Sequence, residues 1–154
     1  MSNDLALPPD ASRALHRGLN EVLFAGTDSD MRASAVLAAQ EHVINTVRAL
    51  GKSADDVLTV LGLIRAKKPS THSELALVCQ VIIAEDRALK NATLARAMER
   101  AGKLAAMREH DEISRKSNAL AMKHQKALMR YQRKSTRHNG PEVRSSVARN
   151  TRWR

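Results

Sequence analysis

The stretch from Glu74 to Lys134 contains no proline and a single glycine, Gly102. Proline breaks helices and glycine weakens them, so this alanine-rich stretch predicts helix along its length. As one helix it would be more than about 80 Å long, far beyond an ordinary globular helix. Two consecutive helices that break near Gly102 are the alternative. The apolar positions keep a poor register, so a regular coiled coil is less favoured.

Three shorter helices are predicted before this stretch, because apolar residues recur there at intervals of three and four. The pair Pro8-Pro9 suits the start of the first helix. Gly51 suits a left-handed end of the second, and Pro69 stops the third. Aromatic residues make up only 2% of the chain, too few to fill a β-sandwich or barrel. We therefore predict an all-α protein, with three short N-terminal helices packed on a long, alanine-rich C-terminal helix.

The charge of +10 is unevenly distributed. Residues 1–112 carry 14 basic and 15 acidic residues, whereas residues 113–154 carry 12 basic residues and one acid, Glu142. Such asymmetry is typical of an interaction region for a polyanion attached to a near-neutral folded part. We predict a near-neutral helical bundle over 1–112, a basic helical extension over 113–137 and a flexible arginine-rich tail over 138–154.

One face of the basic extension is predicted to be cationic. Its basic residues are spaced by seven, three, four, three and four positions, which places them within about 100° of arc on a helix; they are Lys116, Lys123, Lys126, Arg130, Arg133 and Arg137, with Arg115 and Lys134 inside the arc or at its edge. A separate apolar arc is predicted to pack on the rest of the protein; it comprises Ile113, Leu120, Ala127, Leu128 and Tyr131.

Three functions fit this face. It can bind the phosphates of DNA or RNA with low sequence specificity, it can dock on an acidic protein or an anionic membrane surface, or it can be a solvated face without a partner. Nucleic acid is the favoured prediction, because solvated faces usually mix charge signs. The tail would add contacts, and a tryptophan there can stack on a base or fold back on the body; its candidate residues are Arg144, Arg149, Arg152, Trp153 and Arg154.

The main alternative is an adaptor protein of a larger assembly whose basic helix binds an acidic protein surface. A homodimer is also predicted, since the long helix has more apolar surface than three short helices can cover. A helix-turn-helix is disfavoured, because Asp55 and Asp56 would face DNA phosphates.

No catalytic or cofactor-binding motif is recognisable, so we expect a protein without enzymatic activity or cofactor. His110, His124 and His138 are too far apart on a helix to share a metal. Cys79 lies among apolar residues and is predicted to be a buried structural thiol. Neither a secretory signal nor an apolar run long enough to span a membrane is apparent, and a cytoplasmic location is the default expectation.

Overall fold

The computed structural model describes residues 9–23 and 29–138. Within these residues the regular elements are all helices and no strand occurs, which confirms the predicted fold class. A single 3₁₀ turn, Ala54–Asp56, precedes the third helix. The five helices are α1 Pro9–Leu23, α2 Ser29–Ala49, α3 Val57–Ala66, α4 His72–Arg100 and α5 Leu104–His138.

The long helical stretch is divided at Gly102, and α5 folds back along α4 as an antiparallel hairpin. Gly102 has a φ of 71°. Its amide donates to the Glu99 carbonyl at 3.0 Å, and the Lys103 amide donates to the Met98 carbonyl at 2.9 Å. These two bonds form a Schellman motif, in which a left-handed glycine ends a helix. The sequence left open one long helix or two consecutive helices, and the structure has two.

The predicted ends of the shorter helices are confirmed. α1 begins at Pro9, and α2 ends just before Gly51, whose φ of 67° is left-handed. α3 ends three residues before Pro69. Proline and left-handed glycine therefore set the lengths of the helices, as their backbone restrictions require.

The core lies at one end of the hairpin, where α2 and α3 pack on the first half of α4 and α1 packs on α2 and α3. Helix α1 contacts α2 and α3, and α2 is the main contact of this group with α4. Branched aliphatic side chains fill the space between them; the fully buried ones include Leu15, Leu19, Val43, Val47, Val57, Val60, Ile64, Leu75 and Val78. The three short helices thus support the base of the hairpin and leave its far end uncovered.

Lys90 fixes the end of α2 to α4. Its ammonium group donates to the Leu50 carbonyl at 2.8 Å and forms an ion pair with Asp86, also at 2.8 Å. A cation is favourable at this place, because the carbonyls at the end of a helix carry partial negative charge.

A pair of histidines also connects α2 with α4, near the start of α4. The Nε2 atoms of His42 in α2 and His72 in α4 are 3.2 Å apart. A hydrogen bond between the two rings requires one nitrogen without a proton, which acts as the acceptor. Burial, and then the charge of His72, lower the pKa of His42 below its ordinary value, whereas Glu41 raises it.

Replacing Gly102 with alanine should destabilise the protein by about 1–2 kcal/mol, because a side chain disfavours the left-handed conformation. Gly62, in the middle of α3, is the matched control, since a Cβ there would meet no atom within 4 Å. Gly62→Ala should instead stabilise by about 0.5–1 kcal/mol. Urea unfolding followed by circular dichroism measures both, and equal effects would contradict the assignment of the turn.

Stability should fall on acidification through His42. Its folded pKa lies below the ordinary value of 6.5, so the folded state binds fewer protons than the unfolded state. This contribution is present above about pH 6.5 and is lost as the pH falls through the folded pKa. The free energy of unfolding of His42→Gln should therefore decrease less than that of the wild type between about pH 7.5 and pH 5. If the free energy of unfolding had the same pH dependence in both proteins, the role of His42 would be contradicted.

Candidate nucleic-acid interface

The orientation of α5 is set by small side chains that pack against α4. Its buried residues are Ser114, Ser117, Ala121 and Leu128, which fall within about 60° of arc. They face the buried small residues of α4, Ala84, Ala88 and Ala95. Small side chains allow the two helix backbones to approach closely. We call this contact the small-residue seam.

Hydrogen bonds fix α5 at three points along the hairpin. The buried Ser114 hydroxyl donates to the Ala88 carbonyl at 3.0 Å. Towards the tip of the hairpin, Nδ1 of His110 lies 3.0 Å from Oδ1 of Asn91. Towards its base, the amide nitrogen of Gln132 lies 3.3 Å from the carbonyls of both Lys67 and Lys68. The rotation of α5 about its axis is therefore defined from end to end.

The predicted basic face points outward. Its described side chains are all exposed; they are Lys116, Lys123, Lys126, Arg130, Arg133 and Lys134. On a helix their arc lies roughly opposite the seam, about 170–180° away. Arg137 is part of α5, but its side chain lies outside the described part of the structure. The segregation of lysine and arginine from the buried surface is thus a property of the fold.

The first cations of this face are paired with acids one turn earlier. Arg115 contacts Asp111, and Lys116 contacts Glu112 at 2.7 Å. The hydrogen bond and charge of Lys116 lower the pKa of Glu112. Uncompensated positive charge therefore begins beyond Lys116.

Four later cations have no ion-pair partner among the described side chains, which are those of residues 9–20 and 35–134. Helix α5 itself contains no acidic residue after Glu112. Arg133 is exposed but is engaged in an interaction of its own, and it is left out of this group. We call the four residues the open cationic row; they are Lys123, Lys126, Arg130 and Lys134.

The predicted apolar packing face of α5 is confirmed at Leu128 and is wrong at Leu120 and Tyr131. Leu120 and Tyr131 are 47% and 52% exposed, and Ile113 and Ala127 are only partly buried. The seam is rotated away from this arc. Towards the tip of the hairpin it buries the small side chains of Ser114, Ser117 and Ala121, and only at the base, where it meets the main core, does it bury a leucine, Leu128. The larger apolar side chains therefore border the open cationic row on one side.

A shallow recess of about 210 Å³ lies where the apolar border meets the row. It is lined by Ala127, Arg130, Tyr131 and Lys134. Met122 and Met129, 58% and 48% exposed, lie along the other side of the row. The outer surface of α5 thus combines positive charge with accessible apolar groups.

Other predicted features lie inside the fold or outside its described part. Cys79 is buried as expected. Burial raises the pKa of its thiol, and a hydrogen bond with Thr46 lowers it by less, so the pKa lies above its ordinary value. No group of three or more metal-binding side chains occurs in the described residues, and no helix among them is long and apolar enough to cross a membrane. The tail candidates lie outside the described residues; they are Arg144, Arg149, Arg152, Trp153 and Arg154.

The chain matches no protein-family model, no curated protein and no solved structure. The interpretation of α5 therefore depends on the chemistry and geometry of its own residues.

Replacing Ala121 with leucine should destabilise the protein by about 1–3 kcal/mol, because the seam has no room for a larger side chain. Ala119 is the matched control, since it lies two residues earlier on the exposed surface of the same helix. Ala119→Leu should change the free energy of unfolding by no more than about 0.5 kcal/mol. Thermal and urea unfolding measure the difference, and equal stability of the two variants would contradict the role of the seam.

Proposed function

We propose that this protein is a non-catalytic nucleic-acid-binding accessory protein. It docks on the phosphates of DNA or RNA through the open cationic row, with the arginine-rich tail adding contacts. The observation that carries this proposal is a row of four exposed cations, unpaired within the described residues and opposite the buried face of α5.

Electrostatics favours this ligand. Lys126, Arg130 and Lys134 follow one another at intervals of four, where like charges destabilise an isolated helix by a few tenths of a kcal/mol per pair. A polyanion removes this repulsion, and each phosphate that a cation neutralises releases condensed counterions. The row from Lys123 to Lys134 is about 16 Å long, so it spans several phosphates on one strand.

The same geometry implies low sequence specificity. Lysine and arginine on an outward face contact phosphates, which are the same in every sequence, whereas sequence is read from base edges. The short helices α1–α3 hold the base of the hairpin and leave α5 accessible. In this role the bundle organises oligomers or recruits a protein, and the predicted homodimer and cytoplasmic location belong to this proposal.

Docking on an acidic protein surface is the second candidate, and Met122 and Met129 favour it. Methionine side chains adapt to irregular apolar surfaces, and both are exposed beside the open cationic row. A partner of this kind would offer carboxylates to the row and apolar groups to the two methionines.

Replacing all four residues of the open cationic row with glutamine should strongly reduce the affinity for nucleic acid. The slope of log affinity against log salt concentration should become shallower by about three to four, since each lost phosphate contact contributes about 0.7–0.9. Fluorescence anisotropy with labelled duplex DNA and single-stranded RNA, measured over a salt series, tests both expectations.

The matched control removes four exposed cations near the tip of the hairpin, Arg96, Arg100, Lys103 and Arg108. It has the same net charge as the first variant and should retain binding and most of the salt slope. Equal losses in the two variants would show that net charge acts without a defined site. An acidic protein bound more tightly than either nucleic acid at about 0.15 M salt would favour the second candidate.

A further inference from the structure

We propose that Tyr131 gives this surface a preference for single-stranded nucleic acid, by stacking on one unpaired base. This inference rests on the proposed function and names the class of nucleic acid that the same surface binds. RNA and DNA present the same chemistry here, which is a flat base between two phosphates.

The position of Tyr131 is the first argument. It is the one phenylalanine, tyrosine or tryptophan within residues 9–23 and 29–138, and its side chain is 52% exposed. Ala127, one turn earlier, lines the same recess and is too small to cover the ring. An aromatic ring in this position has a face available to a ligand.

The surroundings of the ring are the second argument. Arg130 and Lys134 line the same recess, so two cations flank the tyrosine. A nucleotide strand places a phosphate on either side of each base. A base stacked on Tyr131 would therefore have its neighbouring phosphates within reach of two members of the open cationic row.

The size of the recess restricts the ligand. Its volume of about 210 Å³ is below the roughly 300–1,000 Å³ of pockets that enclose small molecules. It suits one flat group that remains attached to a chain lying outside the recess. Because the bases of a duplex are stacked on one another, only an unpaired base can lie flat against the ring.

The test measures binding of the full chain to three labelled probes of equal length, single-stranded RNA, single-stranded DNA and duplex DNA. Tyr131→Ala should weaken binding to both single strands about tenfold, in the range of one base–aromatic stack. Binding to the duplex should change by less than about twofold, and so should the salt dependence for every probe, since no charge is removed.

Two further variants separate stacking from a structural effect. Tyr131→Phe keeps the ring and should bind the single strands within about twofold of the wild type, because stacking does not need the hydroxyl. Leu120→Ala removes another exposed apolar side chain from the same border of α5 and should leave all three affinities unchanged. Circular dichroism should show the same helix content in all three variants.

An equal loss on the duplex and the single strands in Tyr131→Ala would overturn the inference, and so would no loss on either. Both results leave the proposed function standing, since the wild type still binds. The proposed function itself fails if the wild type binds each of the three probes no more tightly than it binds an anionic control protein. A loss on one kind of single strand alone would identify that strand as the ligand.

Discussion

Close packing between α4 and α5 is the constraint on which the rest of the surface depends. The seam brings Ser114, Ser117 and Ala121 against the alanines of α4 and buries all three. Once these positions face inward, the helical repeat directs Lys123, Lys126 and Arg130 outward. The basic surface thus follows from where the smallest side chains of α5 are placed.

The hairpin also explains how the chain tolerates so many like charges on one helix. In isolation, the repeated cations of the row would weaken α5. In the folded chain, Leu128 is buried in the main core, and Gln132 reaches the carbonyls that follow α3. Tertiary contacts on one side of the helix therefore offset repulsion on the other side. In the proposed function, a helix held in this way would keep its charges in place before the nucleic acid arrives, which lowers the entropic cost of binding.

Much of the fold can be predicted because backbone chemistry is local. Pro9 and Gly51 act within a turn of their own positions, and each marks a helix end. The break at Gly102 was one of two open alternatives, since a lone glycine is tolerated inside a helix at a cost of about 1 kcal/mol. The outward orientation of the lysines could also be predicted, because charge is costly to bury.

The packing face of α5 could not be predicted from hydrophobicity. Leu120 and Tyr131 are the more apolar residues, yet Ser114 and Ser117 are buried. At these positions the small side chains fit against α4, whereas Leu128 is buried where the hairpin meets the main core. The partner surface therefore decides which residues of α5 are buried, and it is distant in sequence. Ser114 finds its acceptor at Ala88, 26 residues earlier, and no pattern within α5 reveals that bond. The predicted division of the chain at residues 112 and 113 reflects charge and falls within the continuous helix α5.

The small-residue seam and the open cationic row lie on opposite sides of α5, so the insertion of a residue between them would disrupt this arrangement. One residue inserted between Ser117 and Lys123 would turn every later side chain by about 100° relative to the earlier ones. Leu128 and the lysines all follow this insertion and would turn together. Either Leu128 would leave the core, or Ser114 and Ser117 would leave the seam. The number of residues along α5 is therefore fixed by the helical phase that joins its two faces.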